Sequence, residues 1–353
     1  MYLPSGVYHE AYRADHAWWQ TTFVRAKMAF LVLLLLVGLP LSGAYALSVA
    51  NIIGYTILSA LGVQLLIGYT GQITLGHAAF IAVGGYATAI GILQYGLPYP
   101  VSMALGAILA GLWSVLFGLP SARVKGFYLI MTTMAAQFVT VDFIITNYVS
   151  RVGGRGQSFS LPPGTITVGP WVIDTELKVY YLMIGLVILC TTGMANLLRT
   201  RVGRAWIAIR DNDIAAEMMG VNVVRYKLLA FFVAGVLGGI AGGFWISSLY
   251  VVSPDHFQFS WSVWLVGVIL IGGVGSLHGV IFGSIFVTVL LERLQAAVIP
   301  LSDAFPALST GFLYIKEGVF GLAIVLFLLY EPRGLAYRWH QLKNYFNLWP
   351  FAY

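Results

Sequence analysis

The sequence predicts an all-α, polytopic integral membrane protein with about ten transmembrane helices. Two observations decide the class. The 353 residues are 59% hydrophobic and only 9% charged, whereas a soluble domain is nearer a quarter charged. Apolar runs long enough to cross a bilayer recur along the chain, and about 20 such residues make one spanning helix. The 40 glycines agree, because glycine is common in membrane helices and lets them approach closely.

Taken in order, residues 1–27 form a polar and aromatic extension that includes Asp15, Arg25 and Lys27. A cleavable signal would place its apolar stretch nearer the start, so the run from Met28 is expected to be a retained anchor. The expected spans are 28–47, 50–67, 77–95, 101–119, 126–147, 179–198, 228–250, 258–273, 279–297 and 313–330. The eighth is short. Residues 68–76 are expected to form a broken or re-entrant segment between the second and third spans, and 331–353 a tail.

Ten spans put both termini on one side. If that side is the cytoplasm, fourteen Lys and Arg fall inside: Arg13, Arg25, Lys27, Arg123, Lys125, Arg199, Arg201, Arg204, Arg210, Arg225, Lys227, Arg333, Arg338 and Lys343. Five fall outside: Arg151, Arg155, Lys178, Arg293 and Lys316. The positive-inside rule therefore predicts cytoplasmic termini. It also accounts for the net charge of +6 without nucleic acid. Residues 148–178 become a periplasmic loop rich in Gly, Pro and β-branched residues, expected to be compact with some extended structure. They serve either as a docking surface or as a connector. The single cysteine, Cys190, cannot form an intramolecular disulfide.

The stretch "GYTGQITLGHAAF" (Gly68–Phe80) interrupts the apolar pattern. Gly68, Gly71 and Gly76 each weaken a helix by about 1 kcal/mol relative to Ala, which predicts a break. Non-helical backbone at membrane depth must be buried in protein or line a watery cavity. Gln72 and Thr74 then serve the freed backbone or a polar solute, as in transporters built on interrupted helices. His77 either titrates near neutral pH or donates to a carbonyl of a neighbouring helix; the structural role is favoured, since no carboxylate or second His stands at a relay spacing. The small residues Ala78, Ala79, Ala82, Gly84 and Gly85 predict close helix packing. A weaker Gly-rich echo, "IGGVGSLHGVIF" (Ile271–Phe282), leaves an internal repeat open.

The long inner loop, residues 199–227, is the most polar stretch of the chain. Asp211, Asn212 and Asp213 offer helix N-caps, "IAAEMMG" reads as a short helix, and Gly220 supplies its left-handed end. Ile214, Met218 and Val221 share one apolar stripe and Glu217 falls on another face. Such a helix either lies in the headgroups or is a peg for a cytosolic partner.

Four stretches carry a resemblance: "GYTGQITLGHAAFIAVGGYA", "RVKGFYLIMTTMA" (Arg123–Ala135), "GRAWIAIRDNDIAAEMMGVNVVRYKLLAF" (Gly203–Phe231), and "GGVGSLHGVIFGSIF" (Gly272–Phe286) with "EPRGL" (Glu331–Leu335). Together they cover roughly residues 45–335, and the chain resembles the LivM-type permease subunit of bacterial ABC importers for branched-chain amino acids. Thr74 stands where the family commonly has Ser. The resemblance implies a multi-pass protein of the bacterial inner membrane, in membrane lipid. It also implies a homologous second permease subunit, two ATPase subunits and a periplasmic substrate-binding protein. Residues Arg210, Asp211, Asn212, Asp213, Glu217 and Gly220 would couple to the ATPase, and Gly68, Gly71, Gln72, Thr74, Gly76 and His77 would shape the translocation path. No cofactor, metal, nucleic-acid partner or enzymatic chemistry is expected. The sequence contains no Gly-x-x-x-x-Gly-Lys-Ser/Thr, His-Glu-x-x-His or Gly-x-Ser-x-Gly stretch. The competing readings are the same machine carrying urea, short amides or aromatic acids, and a stand-alone channel or secondary carrier. The scarcity of deep carboxylates disfavours the latter.

Overall fold

Long apolar runs leave the backbone no solvent to bond, so they fold as helices that satisfy their own polar groups. A computed structural model describes residues 22–122, 124, 126–148, 158–162, 164–302 and 306–348 of this helical chain. The expected extension up to residue 21, Arg123, Lys125, residues 149–157 of the long loop and residues 349–353 lie outside the described residues.

The helices, in order, are α1 (Thr22–Leu33), α2 (Ala44–Tyr69), α3 (His77–Leu93), α4 (Tyr99–Gly118), α5 (Phe127–Ile145), α6 (Glu176–Arg199), α7 (Arg201–Asp211), α8 (Asp213–Met218), α9 (Val223–Leu249), α10 (Phe259–Gly272), α11 (Leu277–Ser302), α12 (Pro306–Tyr330) and α13 (Gly334–Leu348). Each of the ten expected segments is helical, but length and apolarity alone qualify fewer. Among the described residues six helices are long and apolar enough to cross a membrane, or seven if the pair Tyr314–Tyr330 and Gly334–Phe346, bent by 47°, counts as one span. The shortfall has physical causes. The first run is interrupted by a π-turn (Leu34–Gly38) and by Gly43. At 17 and 14 residues, α3 and α10 are short. Both are shielded by protein: α3 buries residues on every side, and α10 buries Ser262, Leu265, Val268 and Ile269.

The core is built around α2, which packs against α6, α9, α10 and α11. Its middle residues Leu58, Leu61, Leu65 and Leu66 are fully buried. A second packing unit joins α3, α4 and α9 through small residues. Gly84 lies directly on the Gly239 backbone and Gly85 on that of Gly242, as the run of Ala and Gly predicts. The Ser114 hydroxyl donates across this seam to the Phe231 carbonyl at 2.7 Å.

The described helices place two sets of turns at opposite ends of the bundle. One end gathers the 70–76 segment, α7, α8, the 273–276 turn and Gly334. The other gathers two small antiparallel ladders. Strands β1 (Phe159–Ser160) and β4 (Val251–Val252) pair with Phe159 opposite Val252, and β2 (Thr167–Val168) and β3 (Trp171–Val172) pair with Thr167 opposite Val172. The long loop thus has the extended structure its composition predicts. It is tied to the end of α9: the Leu161 amide donates to the Tyr250 carbonyl at 2.8 Å, and the Tyr250 hydroxyl donates to the Ile173 carbonyl.

Two helices have no counterpart in the sequence expectations: α13, which lies in the expected tail, and α7. The stretch "RVGRAWIAIRD" forms α7, with Ala205, Trp206 and Ile209 buried at helical spacing. Its many arginines conceal an amphipathic pattern in which Trp206 is the anchor. The indole Nε1 donates to the Tyr226 carbonyl at 2.9 Å and holds α7 against α9.

Candidate functional site

The interruption after α2 is resolved residue by residue. The helix passes through a π-turn, Gln64–Tyr69, and then opens into irregular chain before α3 begins at His77. Gly71 takes φ +67°, a conformation that side chains rarely adopt. The freed groups are served locally: the Gln72 amide donates to the Leu66 carbonyl at 2.8 Å and the Thr70 hydroxyl to the same carbonyl at 2.7 Å. The Thr74 hydroxyl accepts from the Gly76 amide at 3.3 Å, so Thr74 serves the backbone as expected. Gln72 differs: its side chain donates to the Thr70 hydroxyl at 3.0 Å rather than to the backbone, and its Oε1 has no partner.

The start of α3 is buried inside the bundle, where orphan helix amides must find acceptors. The Ala78 amide donates to the Ser262 hydroxyl at 2.9 Å and the Ala79 amide to Gln137 Oε1 at 2.7 Å. Gln137 then donates from Nε2 to the Phe257 carbonyl at 2.7 Å. The Leu75 amide donates to the Thr133 hydroxyl at 3.2 Å, and Gly76 lies against the Thr133 carbonyl. These protein groups occupy the helix end that a solute would otherwise meet.

His77 opens α3 inside the bundle. Its ring is buried against Gly62 and Gly238 and sits edge-on to Phe80 at 5.7 Å. The Ser59 carbonyl of α2 stands beside it as a backbone partner, in a contact looser than a regular hydrogen bond. The small residues Gly62 and Gly238 let α2 and α9 close on the ring.

Three motifs that are distant in sequence meet below the break. Gln64 donates from Nε2 to the carbonyls of Gly273 at 3.1 Å and Ser276 at 2.9 Å. Gly68 faces Gly275 so closely that a Cβ on Gly68 would lie 2.6 Å from the Gly275 nitrogen. Arg210, from α7, donates from Nη1 to the Gly68 carbonyl at 2.9 Å. Its Nε and Nη2 donate to Asp211 Oδ1 at 3.1 and 2.9 Å. The pair with Asp211 is exposed and worth little by itself, but it orients the guanidinium toward the end of α2. Leaving a buried carbonyl without that donor would cost about 1–3 kcal/mol.

Helix α8 continues from this junction. Asn212 is its N-cap, with Oδ1 accepting from the Ala215 amide at 3.1 Å. Gly220 ends it at φ +85°, the Gly220 amide donating to the Glu217 carbonyl and the Val221 amide to the Ala216 carbonyl at 2.9 and 3.0 Å. This is the double bond pattern of a left-handed helix end. Ala216 faces the protein, whereas Ile214, Met218 and Met219 are 67, 83 and 86% exposed. Glu217 is exposed beside them. Asp213 pairs with Lys227 at 3.5 Å. The sequence expectations thus name both halves of the junction, the break and the 210–220 loop, without placing them together. They miss Gln64, Thr133, Gln137, Ser262 and Lys227. The usable signal was polarity within apolar helices, since a buried Gln or Ser must find a partner.

At the opposite end, the His256 ring accepts from the Trp245 indole at 3.2 Å through Nδ1. Burial lowers its pKa below the ordinary value, and the nearby Asp255 carboxylate opposes that shift.

Comparison with known proteins places this geometry. A family model described as the branched-chain amino acid transport system / permease component matches residues 45–330. The high-affinity branched-chain amino acid transport system permease protein LivM of Escherichia coli (strain K12) is 26% identical over 79% of this chain and 67% of its own. A probable branched-chain amino acid transport permease protein, LivH of Methanocaldococcus jannaschii, is 26% identical over 82% of this chain and 90% of its own. The fructose import permease protein FrcC of Rhizobium meliloti is 27% identical over 64% of each chain. No solved structure matches. The family match spans the break, the 273–276 turn and the α7–α8 loop, and the chain belongs to the branched-chain amino acid transport system permease family.

Proposed function

We propose that this chain is one permease subunit of an ABC importer and forms half of a path that carries branched-chain amino acids inward. The observation that carries the proposal is the junction at one end of the bundle. A short capped helix, α8, presents Ile214, Met218 and Met219 to solvent, and α7 ties it to the end of α2 through the Arg210–Gly68 bond. Apolar side chains on a rigid outward helix suit a groove on a partner better than water. On this reading the α7–α8 end is cytoplasmic, both termini share that side, and the ladders of the long loop face the periplasm. The membrane is the bacterial inner membrane.

The mechanism follows from the connections. Two ATPase subunits bind below this chain and a homologous second permease, and each receives a short helix such as α8. ATP-driven closure moves α8 and α7, and Arg210 passes the displacement to the Gly68 carbonyl and so to α2. Gln64 carries the same movement to the 273–276 turn and α11. The break lets the lower part of α2 move without dragging α3, whose start is held by Ser262 and Gln137. A periplasmic binding protein delivers the solute to the opposite face, where the tied loop offers the docking surface. This chain binds no nucleotide and performs no covalent chemistry.

The test is Glu217→Arg, which reverses a charge on the exposed face of α8 and leaves its caps intact. The variant should insert normally and lose either co-purification with the ATPases or transport. Transport at the unmodified rate would overturn the coupling role of α8. The cargo follows the family description and the LivM likeness. The similarity to a fructose import permease makes solute competition the direct check, with leucine, isoleucine and valine expected to compete and fructose not.

A further inference from the structure

A cavity of about 340 Å³ lies between the broken segment and the α7–α8 junction. Its lining combines two chemistries: the polar Gln72, Asp213 and Lys227, and the aliphatic Val124, Leu129 and Ile209. Gln72 is 3% exposed, lines the cavity and keeps Oε1 without a hydrogen-bond partner. An acceptor buried in this way costs free energy until a donor arrives. Lys227 is also buried, with 9% of its side chain exposed, and stands 3.5 Å from Asp213. Among the described residues its ammonium bonds only Asp213, although an ammonium carries three donors. Arg210 and Asp211 also border the cavity, but they are committed to each other and to Gly68.

We infer that this cavity binds a free zwitterionic amino acid from the cytoplasmic side, and that accumulated cargo thereby slows its own import. The inference rests on the importer proposal above. The complementarity is specific. The carboxylate of the ligand meets the spare protons of Lys227. Its ammonium meets the Asp213 carboxylate and the unpaired Gln72 oxygen. A branched aliphatic side chain covers Val124, Leu129 and Ile209. A group that carries only one of the two charges leaves Gln72 or Lys227 unanswered. The volume falls at the low end of the range for small-molecule pockets, which suits a single amino acid. Occupancy braces Gln72 in the broken segment against Lys227 at the start of α9 and Asp213 in α8. These are the pieces that must move apart if α8 drives α2. A ligand that binds this arrangement better than the displaced one holds the machine in it.

The test uses the assembled importer in nanodiscs without the binding protein, with radiolabelled leucine as the probe. Leucine should bind and be displaced by valine, but not by 3-methylbutanoate or 3-methylbutylamine, which each keep one charge. Lys227→Met should weaken binding at least tenfold, and Lys227→Arg should retain most of it. In proteoliposomes, uptake into vesicles preloaded with leucine should be several-fold slower than into empty ones, and this ratio should approach one in any Lys227→Met importer that transports. Equal displacement by 3-methylbutanoate would mean a plain anion site and overturn the inference. So would leucine binding unchanged by Lys227→Met, or an absence of binding in an importer that transports leucine into empty vesicles. Failure of uptake into empty vesicles would instead count against the importer proposal.

Discussion

Two close contacts meet at Gly68. Arg210 gives the Gly68 carbonyl a donor at 2.9 Å while its other nitrogens hold Asp211. Arg210→Met should lower thermal stability by about 1–3 kcal/mol, the range for a buried acceptor left unsatisfied. It should reduce transport by more than the loss of folded protein explains, and uptake per folded molecule measures this. Arg210→Lys should rescue little, because an ammonium lacks the planar fork that reaches both partners. Gly68 is a second sensitive point. A Cβ there would lie 2.6 Å from the Gly275 nitrogen, and backbone cannot yield as a side-chain tip can. Gly68→Ala should therefore cost about 1–3 kcal/mol by overpacking, read as a lowered melting temperature in detergent. At the opposite end, His256 has its pKa lowered by burial despite Asp255. The folded state then binds fewer protons than the unfolded state below the ordinary histidine pKa of about 6.5, so stability falls as pH falls through that value. His256→Gln keeps an acceptor for Trp245 and loses the titration. Its melting temperature should change less than that of the unmodified protein between pH 7.5 and pH 5.

Among the elements, the long apolar helices and the short α8 were legible, and α7 was not. Apolar runs announce α2, α4, α9 and α11 because length and hydrophobicity suffice. The helix break was legible from Gly68, Gly71 and Gly76. So were the caps of α8, where Asn212 and Gly220 occupy the expected ends. Helix α7 was hidden because Arg201, Arg204 and Arg210 mask the stripe of Ala205, Trp206 and Ile209. The meeting of Gly68 with Gly275 was also hidden: spacing along a chain carries no record of which turns share one end of a bundle. The same holds for Gln137 and Ser262, which cap α3 from two other helices. Their polarity signals a need for partners without naming them. Helix α8 yields its own prediction. Met218→Asp places a charge on the face that is 83% exposed. It should leave the permease folded, because among the described residues nothing covers that face, while lowering ATPase co-purification at least tenfold. Retained co-purification would mean that the partner docks elsewhere.

At the scale of the whole molecule, the packing divides the protein by task. The small-residue seams of α3, α4 and α9 make a tight unit with few internal adjustments available. The α2–α11 side is joined by polar side chains, notably Gln64 to the 273–276 turn, which exchange partners more easily than interdigitated apolar ones. The α7–α8 loop attaches to this second side through Arg210, so a push there acts on the broken helix first. Energy from a partner suits the composition, because the described spans hold few charges that could couple to an ion gradient. On the proposed function, movement of solute depends on nucleotide hydrolysis outside this chain. This dependence is tested most directly by reconstituting the permease with its candidate partners and loaded binding protein in proteoliposomes, then measuring leucine uptake with ATP and with a non-hydrolysable analogue. Uptake should require ATP and stop with the analogue. Uptake by this chain alone at the same rate, indifferent to ATP, would contradict the account.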